Sequence, residues 1–397
     1  MKVLVINCGS SSLKFQFIDM DHETVLAKGL VERIGAGGHV VYQSGAGSAD
    51  YEREIPNHTT AFSEVKKCLT TGGTKIAEPE DISAIGHRIV QGGDLYVESC
   101  LVTDQVEADI EKLAPLAPLH NPAHLQGIRA AKAAFGEDVP QVVVFDNAFH
   151  STMPKKAYMY PLPYEYYEKY RVRKYGFHGT SHRYVSTLLG ELHPEYKKVV
   201  ICHLGNGSSL SAVLDGKVVD TSMGLTPLDG FIMGTRCGSI DPAVVPFLMK
   251  NENLTPDEMD AIMNKKSGFL GVSGISSDWR DIQSAASEGN ERAQLVADLL
   301  FYQVAKIIAS YMVALQGLDA LVFTAGIGEN ASAVREGICK QLSYLGIQLD
   351  TEKNDATHGV QEMISADDSS VPVYVIPTNE ELMIARDTRA VVTAAQA

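Results

Sequence analysis

The chain lacks the features that would send it to a membrane, to nucleic acid or to an oxidising compartment. Read as a sequence, it has no unbroken apolar run of the roughly 18 residues a membrane-spanning helix needs, so none is expected. No leader is expected either: Met1-Lys2 runs straight into Val3–Ile6, which stops at a Gly/Ser turn. Six cysteines are spread along 397 residues with no CxxC pair, so reduced thiols and a cytoplasmic setting are expected. Basic residues are the scarce charge, 34 against 49 acidic, for a net charge of −15. That balance excludes a phosphate-backbone partner, yet leaves room for a few arginines to hold a small anion locally. There is no GxSxG elbow, no P-loop and no dinucleotide fingerprint. What remains is an ordinary globular composition, long enough for two domains.

Two stretches of the chain resemble each other. Lys2–Ile6 reads as a strand, Asn7–Ser12 as a turn and Leu13–Asp19 as an alternating return strand. Lys198–Cys202, His203–Ser209 and Leu210–Asp215 repeat that order, with Ser-Ser-Leu and a closing aspartate in both copies. An internal duplication follows: two α/β halves, each opening on a β-hairpin. Helices are expected from Asn121-Pro122, with asparagine as the cap and proline at the first position, and after the Thr255–Glu258 capping box. Another is expected over the apolar stretch 291–316, buried in a core or an oligomer interface, and a last one over 380–394. The Gly- and Ser-rich segment 35–47 reads as an exposed loop or hairpin tip.

Three Gly-rich turns follow apolar strands: Asn7–Ser12, His203–Ser209 and Gly326–Asn330, the last leading into a helix near Asn330–Ser332. Such turns expose backbone N–H groups that cradle phosphate. Each alone is more often a structural hairpin than a cradle, but three together favour a nucleotide cleft. Polar groups are dense at His87-Arg88, Leu119–Pro122, Asp146, Gly176–His182 and Gly234–Gly238. Asp146 closes the strand 142–145, at the end where α/β sheets bind ligands. His120/His124 and His178/His182 are each four apart, but no third ligand completes a zinc set. Magnesium, which prefers oxygen and takes few protein ligands, suits Asn7, Asp146 and Glu380 or Glu381 better.

Taken together, Asn7–Lys14, Gly86–Val90, Tyr175–His182, His203–Gly207, Met233–Arg236, Gly326–Asn330 and Pro377–Glu381 resemble the acetate kinase family, in order along essentially the whole chain. The resemblance implies an α/β fold of two duplicated actin-like, ribonuclease H-like domains with an interdomain active-site cleft. Its first domain would comprise 1–147 plus 380–397, and its second 148–379. It implies ATP as co-substrate, magnesium (or manganese) as cofactor, a homodimer, and no nucleic-acid or membrane partner. At matching positions, Asn7 and Glu380 would hold the metal. Ser10, Ser12 and Lys14 would lie near the transferring phosphoryl group. ATP would be held by His203, Leu204, Gly205, Asn206 and Gly207, by Asp278, Trp279 and Arg280, and by Gly326, Ile327, Gly328, Glu329 and Asn330. Arg88 and Arg236 would clamp carboxylate and phosphoryl oxygens, His178 would stabilise the transition state, and His120 would lie nearby. Val90, Leu119, Phe177 and Pro227 would form the acyl pocket. A carboxylate substrate is ionised at neutral pH and needs no general base. Asp146 is therefore expected to orient an arginine, water or metal. Asn147, Cys237, Ser239, Leu225, Asp229 and Phe231 depart from the family pattern, and Cys237 beside Arg236 suggests thiol sensitivity. The alternatives are a propionate or butyrate kinase, a sugar kinase, and a non-catalytic ATP-dependent binding protein on the same scaffold.

Overall fold

The computed structural model describes residues 1–118 and 120–397, so the expectation for Leu119 lies outside the described residues. The chain divides into two compact units, Met1–Phe149 with Asn379–Ala397, and His150–Thr378.

In the first unit, β1 (Lys2–Cys8), β2 (Ser12–Asp19) and β3 (Thr24–Glu32) form an antiparallel meander, extended by β4 (His39–Ser44) and β5 (Gly47–Glu52). On its other side β1 runs parallel to β6 (Ala84–Ile89), with β7 (Cys100–Leu101) and β8 (Gln141–Phe145) beyond, in the order β5-β4-β3-β2-β1-β6-β8-β7. In the second unit β9 (Lys198–His203), β10 (Ser209–Leu214) and β11 (Lys217–Thr221) repeat the meander. There β12 (Ala320–Thr324), β13 (Glu362–Met363) and β14 (Val373–Val375) complete the order β11-β10-β9-β12-β14-β13. Both sheets thus contain a hairpin meander, two parallel neighbours and a short antiparallel edge strand. The duplicated hairpins occupy the same place in each, β1-β2 and β9-β10.

Local differences from the sequence reading have local causes. Both hairpins are longer than expected, because Asn7 pairs with Lys14 and His203 with Ser209 in the ladders. The segment 35–47 is mostly a turn plus β4, whose Val40 and Tyr42 are buried in the first core. Asn121 is inside its helix (Asn121–Phe135), not its cap, since its side chain bonds the backbone of Gln91 instead. The Thr255–Glu258 capping box opens Pro256–Lys265 as expected.

The helix Glu291–Leu315 is long and apolar enough, by length and composition alone, to cross a membrane. Here Val296, Leu300, Val304 and Ile308 sit in the core of the second unit, against Phe323 and Phe231. On its other side Leu295, Tyr302 and Val313 are exposed. In the first unit the C-terminal helix Glu380–Gln396 lies on β6 and β8. Gly86 permits this approach, because a Cβ there would stand 2.3 Å from Thr388 Oγ1.

Candidate functional site

The first unit gathers its polar groups at one end of the parallel strands. Pairing of Ile6 with His87 and of Ile89 with Phe145 places Asn7, Arg88 and Asp146 side by side. Arg88 donates from Nε to both Asp146 oxygens, at 3.1 and 3.0 Å, and from Nη2 to Oδ2 at 2.6 Å. Its Nη1 reaches Asn7 Oδ1 at 3.4 Å. Asp146 is 1% exposed, and its own N–H donates to the Ile89 carbonyl. Burial works against the Arg88 charge. The fields of Asp146 and Glu380 override it and hold the guanidinium above its ordinary range.

Glu380 opens the C-terminal helix beside this pair, with Asn379 capping the Leu382 N–H. Burial pushes the Glu380 carboxyl up to about 7, opposed by Arg88 and reinforced by Asp146 and Glu381. Lys14 bridges to Glu381 at 2.5 Å, and Ser10 is exposed at the tip of the first hairpin. Among the described residues no group of three His, Cys, Asp or Glu could enclose a metal ion. The Asn7 carbonyl and the half-buried Glu380 carboxyl still suit a hard cation that takes few ligands from protein.

After β6 the chain turns through Val90–Gly93, and buried side chains hold nearly every backbone group there. His124 Nδ1 accepts from the Val90 N–H, and Asn121 bonds both the N–H and the carbonyl of Gln91. Asn147 accepts from the Gly92 N–H and donates to the Gly93 carbonyl, both at 2.8 Å. The atypical Asn147 is therefore the clamp of the loop that carries Val90. Asn147→Ala is expected to cost about 1–3 kcal/mol, since it leaves buried backbone groups unpaired; urea unfolding measures it.

In the second unit His178 stands at the N-terminal end of the helix Gly179–Leu192, in the left-handed region (φ 58°). Its ring stacks on His203 at 4.2 Å between centroids, and Ser181 Oγ meets His203 Nδ1 at 2.7 Å. Gly207, after the second hairpin's turn, brings the pieces together. A Cβ built on it would lie 3.4 Å from Arg236 Nη1 and 3.6 Å from His178 Nε2, so both groups border one small space. Arg236 Nη1 also donates to the Pro227 carbonyl at 3.1 Å. Phe177 is buried. Cys237 is half-buried and its Sγ donates to the Gly238 carbonyl. Burial raises its pKa, which works against the thiolate that alkylation requires.

A cavity of about 650 Å³ opens in the same unit, lined by Gly205, Asn206, Asp278, Trp279, Arg280, Gly326, Ile327 and Asn330 among others. That size is ordinary for a cofactor-sized ligand. Three segments far apart in sequence thus meet at one pocket. Two of the named residues serve it indirectly. Leu204 is fully buried, and its carbonyl accepts from the N–H groups of Ile327 and Gly328. Glu329 Oε1 accepts from the N–H groups of Ala325 and Thr378, bracing the end of β12. The Gly326 turn is itself helical over Ala325–Asn330, and a second helix starts at Ser332, so those two amides point into the fold rather than at a phosphate. Arg280 forks onto Asp278, at 3.0 and 2.6 Å, which holds that carboxyl down to about 2. Ser277, Gln283 and Ala331 also line the cavity and were not singled out from sequence. Gln283 sits one turn after Trp279 and accepts from its indole N–H, a spacing that would have pointed to it.

Gly234 fixes the cavity's wall. A Cβ there would fall 1.7 Å from Asn206 Oδ1 and 2.9 Å from the Ser277 carbonyl. Gly234→Ala is expected to displace Asn206, at a cost of about 1–3 kcal/mol. A ligand of the cavity would then bind about tenfold more weakly, read from a binding titration of the variant beside the unmodified protein.

Residues 2–386 match the model of the acetokinase family. A curated acetate kinase of Dictyoglomus turgidum is 54% identical over 398 residues, covering 99% of this chain and 98% of that protein. The crystal structure of Porphyromonas gingivalis acetate kinase superposes with a TM-score of 0.93 at 43% identity, over 98% of this chain and 99% of that one. A propionate kinase from Francisella tularensis subsp. tularensis superposes with a TM-score of 0.92 at 42% identity, over 98% and 99% of the two chains.

Proposed function

The chain belongs to the acetokinase family and is an enzyme that phosphorylates acetate with ATP; on that premise we propose which residues carry the transfer. The observation that supports the assignment best is the convergence of Arg236 and His178 on the space beside Gly207, in the unit that holds the 650 Å³ cavity. ATP occupies that cavity, with its base and ribose against Trp279, Asp278 and Ile327. Arg236 and the His178 Nε2 neutralise oxygens of the transferring phosphoryl group. Arg88 takes the carboxylate of acetate in a two-pronged contact. As the family resemblance implies, Val90, Phe177 and Pro227 would be the residues that meet the methyl group.

Phosphoryl transfer to a carboxylate asks for positioning and charge neutralisation, and for no base, because the nucleophile is already an anion. Asp146 orients Arg88 and removes no proton. Asp146→Asn then lowers the rate without adding an ionisation to the pH–rate profile; a new, shifted ionisation would contradict this. Asn7 and Glu380 would hold magnesium. When bound, the ion would supply positive charge that offsets the negative charge of the phosphates. We take the two compact units as the domains, and place the enzyme in the cytoplasm as a homodimer, in keeping with six free thiols and with the exposed apolar residues Leu295, Tyr302 and Val313.

The test is direct. ATP, acetate and Mg²⁺ should yield an acyl phosphate trapped as hydroxamate, with kcat/KM for acetate about tenfold or more above that for propionate and butyrate, as one methylene in an apolar pocket allows. ATP binding without acyl phosphate would point to the non-catalytic scaffold, and a preference for propionate to the longer-chain kinase.

A further inference from the structure

His178 does not stand alone. Ser209 Oγ, on β10, lies 2.9 Å from His178 Nδ1 and 2.8 Å from His182 Nε2. We propose that His182 and Ser209 are positioning residues that fix the tautomer of His178, so that its proton sits on Nε2 and is presented as a donor. The proposal rests on the reading that His178 acts on the phosphoryl group.

A serine hydroxyl carries one proton and can donate to only one of its two imidazole neighbours. Among the described residues Ser209 Oγ has no third partner to take its proton, so two arrangements are open. In the first, Ser209 donates to His182 Nε2, and His182 must then carry its proton on Nδ1. That nitrogen is buried and has no hydrogen-bond partner, so the arrangement buries an unmatched N–H, the rarer and costlier defect. It also leaves Ser209 Oγ to accept from His178 Nδ1–H, which turns the lone pair of His178 Nε2 outward. In the second, His182 Nε2–H donates to Ser209 and Ser209 donates to His178 Nδ1. Then His178 Nε2 carries the proton, and only a lone pair on His182 is unmatched. Protonating both nitrogens of His182 is disfavoured: burial, with His150 and His203 nearby, holds its pKa well below the ordinary value.

The same strand shows a second chain with its direction fixed. Thr221 Oγ1 donates to the Leu210 carbonyl, so it accepts from Ser211 Oγ at 3.1 Å. Ser211 Oγ must then accept from His150 Nε2–H at 2.9 Å. Ser209 and Ser211 share a face of β10, and each receives an Nε2–H from a buried histidine. His150 and His182 are themselves edge to face at 5.5 Å.

The consequence lies at Gly207. The His178 Nε2 and the Arg236 Nη1 border the same space, so an Nε2–H adds a second donor toward an anionic oxygen there. A bare Nε2 lone pair would repel that oxygen. The pair Ser209 and His182 therefore selects a donor without holding a formal charge.

The test uses the whole enzyme labelled with ¹⁵N-histidine. Two-bond ¹⁵N–¹H correlations report which ring nitrogen is protonated, with assignment by comparison with His178→Gln and His182→Gln. The expected spectrum shows Nε2–H for both His178 and His182. Ser209→Ala should convert His178 to a tautomer mixture. It should also lower kcat by about a hundredfold, in the range lost with one oxyanion donor, while the KM values for acetate and ATP change by less than about twofold. His182→Gln keeps an amide N–H near the Nε2 position and should recover most of the kcat that His182→Leu loses. An Nδ1–H tautomer for His178 in the unmodified enzyme overturns the proposal, even if the Ser209 variant fails to fold. So does an unchanged tautomer and kcat in Ser209→Ala, or equal losses in the two His182 variants. A His178→Ala enzyme with full kcat would instead refute the phosphoryl role, and leave the tautomer assignment standing.

Discussion

Arg88→Ala should lower kcat/KM for acetate by about 10²–10³-fold, the scale of truncating one partner of a hydrogen-bonded charge pair, and should destabilise the first unit at the same time. The two effects share one cause. The guanidinium makes three hydrogen bonds to Asp146, whose carboxylate is almost fully buried. Truncation removes the group that would meet the substrate carboxylate and strands a buried anion, a loss of on the order of 3 kcal/mol for a broken buried pair. The Arg88 side chain is 22% exposed, which places the stability effect at the lower end of that range. Arg88→Lys separates the contributions. It keeps a positive charge near Asp146 but loses the fork. Most of the stability should return, and kcat/KM should stay about tenfold or more below the unmodified enzyme. Steady-state kinetics with acetate and a urea unfolding curve for each variant measure both. Full activity in Arg88→Ala would remove this residue from the site.

Arg236→Ala should reduce kcat by about 10³-fold. Arg236 Nη1 donates to the Pro227 carbonyl and reaches Met233 Sδ weakly. Its loss should fall on kcat rather than on the KM for acetate, because the charge it offsets peaks in the transition state. Equal losses in kcat and binding would assign it to ground-state anchoring. Thermal unfolding within about 2 °C of the unmodified protein would exclude a folding defect as the cause.

The duplication was readable because a hairpin is a local object: strand, Gly/Ser turn and return strand lie within twenty residues. The same locality made the Thr255–Glu258 capping box visible. Asn121 shows where it stops. Asparagine before proline reads as a cap, yet the structure employs this side chain on Gln91, thirty residues upstream. The Gly326 turn read as a phosphate cradle. Its amides instead close onto Leu204 from the neighbouring strand, a partner no local pattern announces. His182 read as half of a possible metal pair, four residues from His178, and only the fold supplies Ser209 between them.

The sequence by itself determined what depends on neighbours along the chain and on residue chemistry. That includes the α/β class, the two related halves, the reduced thiols, and the arginines, histidines and carboxylates able to handle phosphate. The tertiary structure decided which of those groups share a space. Strand register set Arg88 against Asp146 and Asn7; three distant segments closed one cavity; a buried hydroxyl joined two imidazoles. Those are long-range contacts, fixed by packing the sheets and helices into cores, and single-sequence periodicity carries no record of them.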